Sequence, residues 1–159
     1  MVLEIISEDK LAECLEVIHA SFKTVADEFG LTRENCPTNG AFMPLERLKN
    51  DFNEGCLMYS ICDEGKPVAF VQLVKNADGS VEMEKLAVLP KYRHRGYGRE
   101  LVEHIKVKAT ELGADKIIIG IIEENTRLIE WYQSLGFIHT GTREFPFLPF
   151  TVGFMEWRL

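Results

Sequence analysis

Arg93-His94-Arg95-Gly96-Tyr97-Gly98 stands between an extended run and a helix-like run, and its reading decides the fold. Two closely spaced glycines, surrounded by basic side chains, feed a helix start. Glycine lets the backbone approach a ligand, consecutive N–H groups point inward, and a helix N-terminus adds partial positive charge. The pattern therefore suits a diphosphate. Lys91, Arg93, Arg95 and Arg99 fall within nine residues of a chain whose formal charge is −7. A basic island on an acidic protein serves a small phosphate ligand better than a polynucleotide. Two other phosphate loops do not match. G-x-G-x-x-G needs glycine at 101, where Leu101 stands, and no G-x-x-x-x-G-K-[ST] occurs.

Outward from the loop, the flanks read as a βαβ unit. Val81–Val88 is a strand, and Gly98–Leu112 a helix with Leu101, Ile105, Ala109 and Leu112 on one face and Gly113 as its stop. Lys116–Ile122 (KIIIGII) is a continuous apolar strand, expected to be buried on both faces and parallel to Val81–Val88. Upstream, Cys56–Cys62 and Val68–Val74 form a hairpin that continues into Val81–Val88, an antiparallel meander. Val2–Ile6 is a short strand, and Ser7 is expected to cap a helix carrying Leu11, Leu15, Ile18, Phe22 and Val25. Residues 30–44 are irregular, and Pro44 suits the first turn of a short helix carrying Leu45, Leu48 and Phe52. Downstream come a helix over Asn125–Leu135 and strands Phe137–Thr142 and Thr151–Arg158, joined by the aromatic stretch 145–150 (FPFLPF).

Composition sets the outer limits. A chain of 159 residues is one domain by length, 1–159, with a real core. No run approaches the roughly 18 apolar residues of a membrane span. MVLEIISEDK lacks a basic n-region, so a secretory signal is not expected. Cys14, Cys36, Cys56 and Cys62 form no CxxC and have no zinc-like spacing with His, which reads as reduced thiols in a cytoplasmic protein. A pI near 5.2 argues against general nucleic-acid binding.

R-x-x-G-x-G between a strand and a helix, with this order of elements, resembles the GCN5-related N-acetyltransferase (GNAT) family. Arg93, Gly96 and Gly98 fill the fixed places of that family's loop, Q/R-x-x-G-x-G/A. Ile122–Phe137 (IEENTRLIEWYQSLGF) is similar to its second cofactor region, N-x-x-A/L-x-x-x-Y-x-x-x-G-F. The resemblance spans nearly the whole chain. It implies a mixed α/β (α+β) acyl-CoA N-acyltransferase fold: meander, βαβ unit, helix and two C-terminal strands. It implies acetyl-CoA as cofactor, with the pyrophosphate on Gly96, Gly98 and the amides of the Arg93-His94-Arg95-Gly96-Tyr97-Gly98-Arg99 run. Arg93, Arg95 and Arg99 supply charge, while His94 touches phosphate or faces water. By the same resemblance, Leu86, Ala87 and Val88 offer backbone groups to the acyl-pantetheine where the strand splays from its parallel neighbour, and a backbone N–H there polarises the thioester carbonyl. Asn125 binds the pantetheine arm, caps a helix, or does both.

Tyr132 falls on the family's general-acid tyrosine, and the chemistry fits: a leaving thiolate needs a proton, and a phenol near pKa 10 can give one. Its alternative is a core aromatic beside Leu128 and Leu135. Glu82 and Glu84 share one face of their strand by alternation. A protonated amine must lose a proton before it attacks, and either carboxylate can accept it; the alternative is a solvated or salt-bridged face near Lys85. No metal is expected, because the thioester is already activated. His19 and His104 read as surface residues and His139 as structural. The family builds its acceptor site from the first helices, their loop and the last strands. Here that means residues 22–44 and 140–151, with Phe22, Glu28, Phe29, Glu34 and Phe42, then Arg143, Glu144, Phe145, Phe147 and Phe150. These suit an amine on an apolar body, or else form loop covers or a homodimer surface. The expected partner is a small-molecule or peptide amine, without nucleic acid or membrane. Rival readings are a longer acyl-CoA, or a non-catalytic acyl-CoA-sensing module.

Overall fold

A computed structural model describes residues 1–159. Seven strands form one sheet in the order β1-β2-β3-β4-β5-β7-β6. They are β1 (Val2–Ile5), β2 (Leu57–Asp63), β3 (Lys66–Lys75), β4 (Val81–Val88), β5 (Lys116–Ile122), β6 (Ile138–Glu144) and β7 (Thr151–Arg158). The helices are α1 (Leu11–Phe29), α2 (Leu45–Asn53), α3 (Tyr97–Glu111) and α4 (Thr126–Ser134). Every neighbouring pair is antiparallel except β4 and β5. The meander and the parallel β4-α3-β5 unit thus stand where the sequence puts them, and the expected mixed α/β fold is present.

The two faces of the sheet are covered separately. Leu11, Val17, Ile18 and Leu48 of α1 and α2 pack on Met58, Phe70 and Ala87. On the other face Leu101, Val102, Ile105 and Ala109 of α3 meet Ile61, Val71, Leu73, Met83, Ile117 and Ile119, and Tyr132 and Leu135 extend that cluster. Each buried Leu, Ile or Val contributes about 1.5–3 kcal/mol of transfer free energy, so the helical stripes read in the sequence fix which face each helix covers.

Four local expectations are corrected. Ser7 does not cap a helix with its side chain. Its hydroxyl turns to the Asp9 carboxylate, and a 3₁₀ turn at Glu8–Lys10 precedes α1. Pro44 stands just outside α2, extended at φ −77° and ψ 151°, rather than in its first turn. β5 is not buried on both faces: Gly120 is exposed and Ile118 half-buried, because neither helix layer covers that side. His19 and His104 are half-buried rather than surface residues. His19 Nε2 lies 2.7 Å from the Met43 carbonyl oxygen, and the His104 ring packs edge-on against Tyr59 at 4.5 Å. Burial lowers the pKa of His104. No helix is long and apolar enough to cross a membrane.

Candidate active site

β4 and β5 run together only briefly. Val81 pairs with Ile117 and Glu82 with Ile118, and there the parallel ladder stops. β5 meanwhile pairs with β7 along its whole length, to Ile122 opposite Val152. The cause lies in β4. Gln72 of β3 stands opposite Glu84 but Phe70 stands opposite Ala87, so an extra residue is accommodated at Lys85–Leu86. Lys85 takes a left-handed conformation, φ 56°. Such a bulge bends and twists its strand. β4 swings from β5, and a cleft of about 950 Å³ opens between them. The bulge also resets the alternation. Glu82 and Glu84 face the α1–α2 side, Ala87 packs beneath α1, and Leu86 and Val88 line the cleft.

The glycine loop closes one end of this cleft. Gly96 precedes α3 with φ 84°, and no atom lies within 4 Å of the place a Cβ would take. Glycine is required there by the backbone angle, and the space above is open. A Cβ at Gly98 would stand 3.4 Å from the Trp131 ring. Arg93, His94, Gly96, Tyr97, Gly98 and Arg99 line the cleft, whereas Arg95 and Ala87 do not. The Arg95 guanidinium lies over the Tyr92 ring at 5.1 Å. Arg93 is tied to α1: its Nη2 donates to the Ser21 carbonyl oxygen (3.1 Å), Ser21 Oγ (3.3 Å) and Thr24 Oγ1 (3.0 Å). Ser21 Oγ also accepts from the Val88 amide at 3.2 Å, so that N–H is already engaged. Ser21 was not singled out in the sequence. Its one signal was a serine within the apolar stripe of the first helix.

The acidic pair lines the cleft on β4. Glu84 Oε2 accepts from Lys85 Nζ at 3.2 Å and from Gln72 Nε2 at 3.3 Å. Lys85 Nζ also pairs with Asp51 Oδ2 of α2 at 3.0 Å. Glu82 Oε1 accepts a long hydrogen bond from Asn76 Nδ2 at 3.5 Å and has no cation in contact. Its pKa is raised, first by burial and then by the hydrogen bond and negative charge of Glu84. Both glutamates therefore line the cleft, and of the two Glu84 is the one in a salt bridge.

Tyr132 projects from α4 and is 5% exposed. Its ring packs edge-on against Trp131 (4.9 Å) and Phe137 (5.3 Å), while the residue lines the cleft. Burial pushes its hydroxyl above the usual phenol range. Asn125 Oδ1 accepts from the Leu128 amide at 3.3 Å as a helix cap, and the residue also lines the cleft.

Phe22, Val25, Leu148, Phe150 and Phe154 give the cleft an apolar, aromatic stretch of wall, and Glu28, paired with Arg127 at 3.3 Å, also lines it. Gly40 lets the loop after α1 rest on the Phe22 ring, since a Cβ there would come within 2.7 Å of it. Phe29, Glu34, Phe42, Arg143, Glu144, Phe145 and Phe147 do not line this cleft. Phe42 lines a separate hollow with His19, Lys23 and Arg33. Arg143 lies over the Phe145 ring at 4.7 Å, and Phe147 is 64% exposed. His139 pairs with Glu123 at 2.8 Å, outside the cleft.

Comparison with known proteins bears on this site. A family model described as Acetyltransferase (GNAT) family matches residues 23–137. An uncharacterized N-acetyltransferase of Mycobacterium tuberculosis is 32% identical over 82 residues, which is 52% of this chain and 53% of that protein. An amino-acid acetyltransferase of Pseudomonas putida is 29% identical over 84% of this chain and 30% of its own. The chain thus spans about half, or less, of the length of these curated relatives. The crystal structure of the Thermoplasma acidophilum PaiA N-acetyltransferase with coenzyme A superimposes with a TM-score of 0.77 at 18% identity, covering 100% of both chains.

Proposed function

We propose that this chain, which belongs to the GNAT family of acetyltransferases, forms one acetyltransferase domain over residues 1–159 and transfers acetyl from acetyl-CoA to a primary amine on an apolar small molecule or peptide. The observation that carries this reading is the divergence of β4 from β5. It opens a cleft with a glycine loop at one end, and an acidic pair, a buried tyrosine and aromatics along its walls.

Acetyl-CoA supplies an acyl group already activated as a thioester. Gly96, Gly98 and the amides through Arg99 hold its pyrophosphate at the start of α3, where open space over Gly96 admits it. Arg99 and His94 add polar or charged contacts, and Arg93 positions the loop against α1. Arg95 acts only at the periphery. β4 at Leu86–Val88, whose Val88 N–H is already given to Ser21 Oγ, receives the pantetheine arm through its remaining backbone groups, as an added strand would be received, and Asn125 lines the same cleft. The Glu82–Glu84 pair takes one proton from the incoming ammonium. The neutral nitrogen then forms the C–N bond as the C–S bond breaks. Tyr132 gives its hydroxyl proton to sulfur and regains one from nitrogen. Coenzyme A complexes among structural neighbours support the cosubstrate.

Thermal shift with acetyl-CoA, CoA, NAD and ATP at equal concentration tests the binding half. At 100 times its Kd a ligand adds about 2.7 kcal/mol, roughly 5–11 °C for a chain of this size. The expected result is stabilisation by the CoA species alone. A larger shift with NAD or ATP overturns the reading. Binding without thiol release across a broad amine panel favours a sensing module instead.

A further inference from the structure

The two glutamates are not equivalent, and their surroundings divide the work between them. Glu84 Oε2 is held by the Lys85 ammonium at 3.2 Å and the buried Gln72 amide at 3.3 Å. Lys85 is itself held by Asp51 Oδ2 at 3.0 Å, with its side chain only 8% exposed. Gln72 Nε2 also donates to Asp51 Oδ2, at 3.2 Å. Glu84 thus has two donors, Lys85 of β4 and Gln72 of β3, and Asp51 of α2 accepts from both and holds them in place. Glu82 stands outside this network, opposite apolar Ile118; its polar neighbours are Asn76, at a long 3.5 Å, and Glu84 itself, with no ammonium or guanidinium in contact.

We infer that Lys85, anchored by Asp51, is a positioning residue that fixes the negative charge of the pair on Glu84 and so makes Glu82 the member that carries and exchanges the acceptor's proton. The inference rests on the acetyl-transfer reading above for its purpose, but its charge pattern exists in the free protein. Two like charges in contact resist joint ionisation, and an opposite charge nearby decides which keeps the charge. Glu84 has an ammonium in contact and Glu82 has none. Burial and Glu84 both raise the pKa of Glu82, which supports the same division. The other charged or titratable groups on the elements around the pair are Asp78 in the β3–β4 turn, Cys56 before β2, Lys116 of β5, and Glu156 and Arg158 of β7. Lys116 and Arg158 are paired with Glu156, at 3.5 and 2.8 Å, and neither contacts Glu82. The left-handed backbone at Lys85 acquires a second role here: the bulge that opens the cleft also turns its ammonium towards Asp51 and Glu84.

Carboxyl ¹³C NMR of the free protein tests this directly, with Glu82 assigned by its loss in Glu82→Gln. Replacing Glu84 by Gln removes the neighbouring negative charge and moves the Glu82 midpoint to lower pH. Lys85→Gln removes the compensating cation and moves it to higher pH, and Lys85→Arg leaves it in place. Should Lys85→Gln not fold, Lys85→Met keeps the apolar stem and loses only the charge. The acid limb of the kcat/KM profile moves in the same directions. A Glu82 midpoint that stays put in both Glu84→Gln and Lys85→Gln, or moves the same way in both, overturns the inference. Signed shifts in a protein that acetylates no amine leave the charge division standing and overturn the functional reading alone.

Discussion

Removing only the hydroxyl of Tyr132 separates its two roles. The ring is 5% exposed and packs edge-on against Trp131 and Phe137 at 4.9 and 5.3 Å. Phenylalanine keeps those contacts, which are worth about 0.5–1.5 kcal/mol each beyond area burial. No protein group hydrogen-bonds the hydroxyl, so its loss leaves no partner unsatisfied. The expected stability change of Tyr132→Phe is therefore within about 1 kcal/mol, less than about 4 °C in Tm. The catalytic effect is far larger. A positioned proton donor contributes roughly 10²–10⁴-fold, so kcat should fall by at least 10² with KM for the amine little changed. Burial holds the hydroxyl above the usual phenol range, so it stays protonated through neutral pH, as a donor must. The assay pairs thiol release with a urea titration of the same preparation. A folded Tyr132→Phe enzyme turning over within twofold of wild type refutes the donor role. A loss of several kcal/mol would instead show that the hydroxyl serves the core.

Three further outcomes follow from the same geometry. Arg93→Met removes charge-assisted hydrogen bonds to Ser21 and Thr24 and should cost about 1.5–3 kcal/mol in urea unfolding; a variant that loses only CoA affinity would mean the guanidinium serves the ligand instead. Gly96→Ala places a Cβ at φ 84°, a strain of roughly 1–2 kcal/mol with no clash, so Tm should fall without loss of fold, and an unchanged Tm contradicts the left-handed turn. Glu82 has a native pKa raised above its unfolded value, so the native state holds its proton longer. Stability is then lost as pH rises from the ordinary carboxylate range through the native value. Glu82→Gln should accordingly be more stable than wild type at neutral pH, with the gain vanishing in acid; a gain independent of pH would assign the effect to something other than ionisation.

The sequence by itself determined the element order, the parallel β4-α3-β5 unit and the residues at the glycine loop, Asn125 and Tyr132. These rest on periodicity and on glycine punctuation, which are local and survive translation into three dimensions. It also placed Glu82 and Glu84 on one face, because two-residue alternation holds up to the bulge. Past that point it could not see. The bulge at Lys85 has no glycine to announce it, and a register shift is a property of two strands rather than one. The grip of Ser21 on Arg93 and Val88 spans more than sixty residues of chain, as does no local pattern. The aromatic wall of the cleft is only partly legible: Phe22 and Phe150 line it, while Phe42, Phe145 and Phe147 do not, since composition names aromatics without saying which way a loop turns them. Tertiary structure alone decided that Lys85 and Gln72, held by Asp51, would donate to one glutamate and leave the other without a cation. Electrostatic energy depends on distances of a few ångströms between segments that only folding brings together.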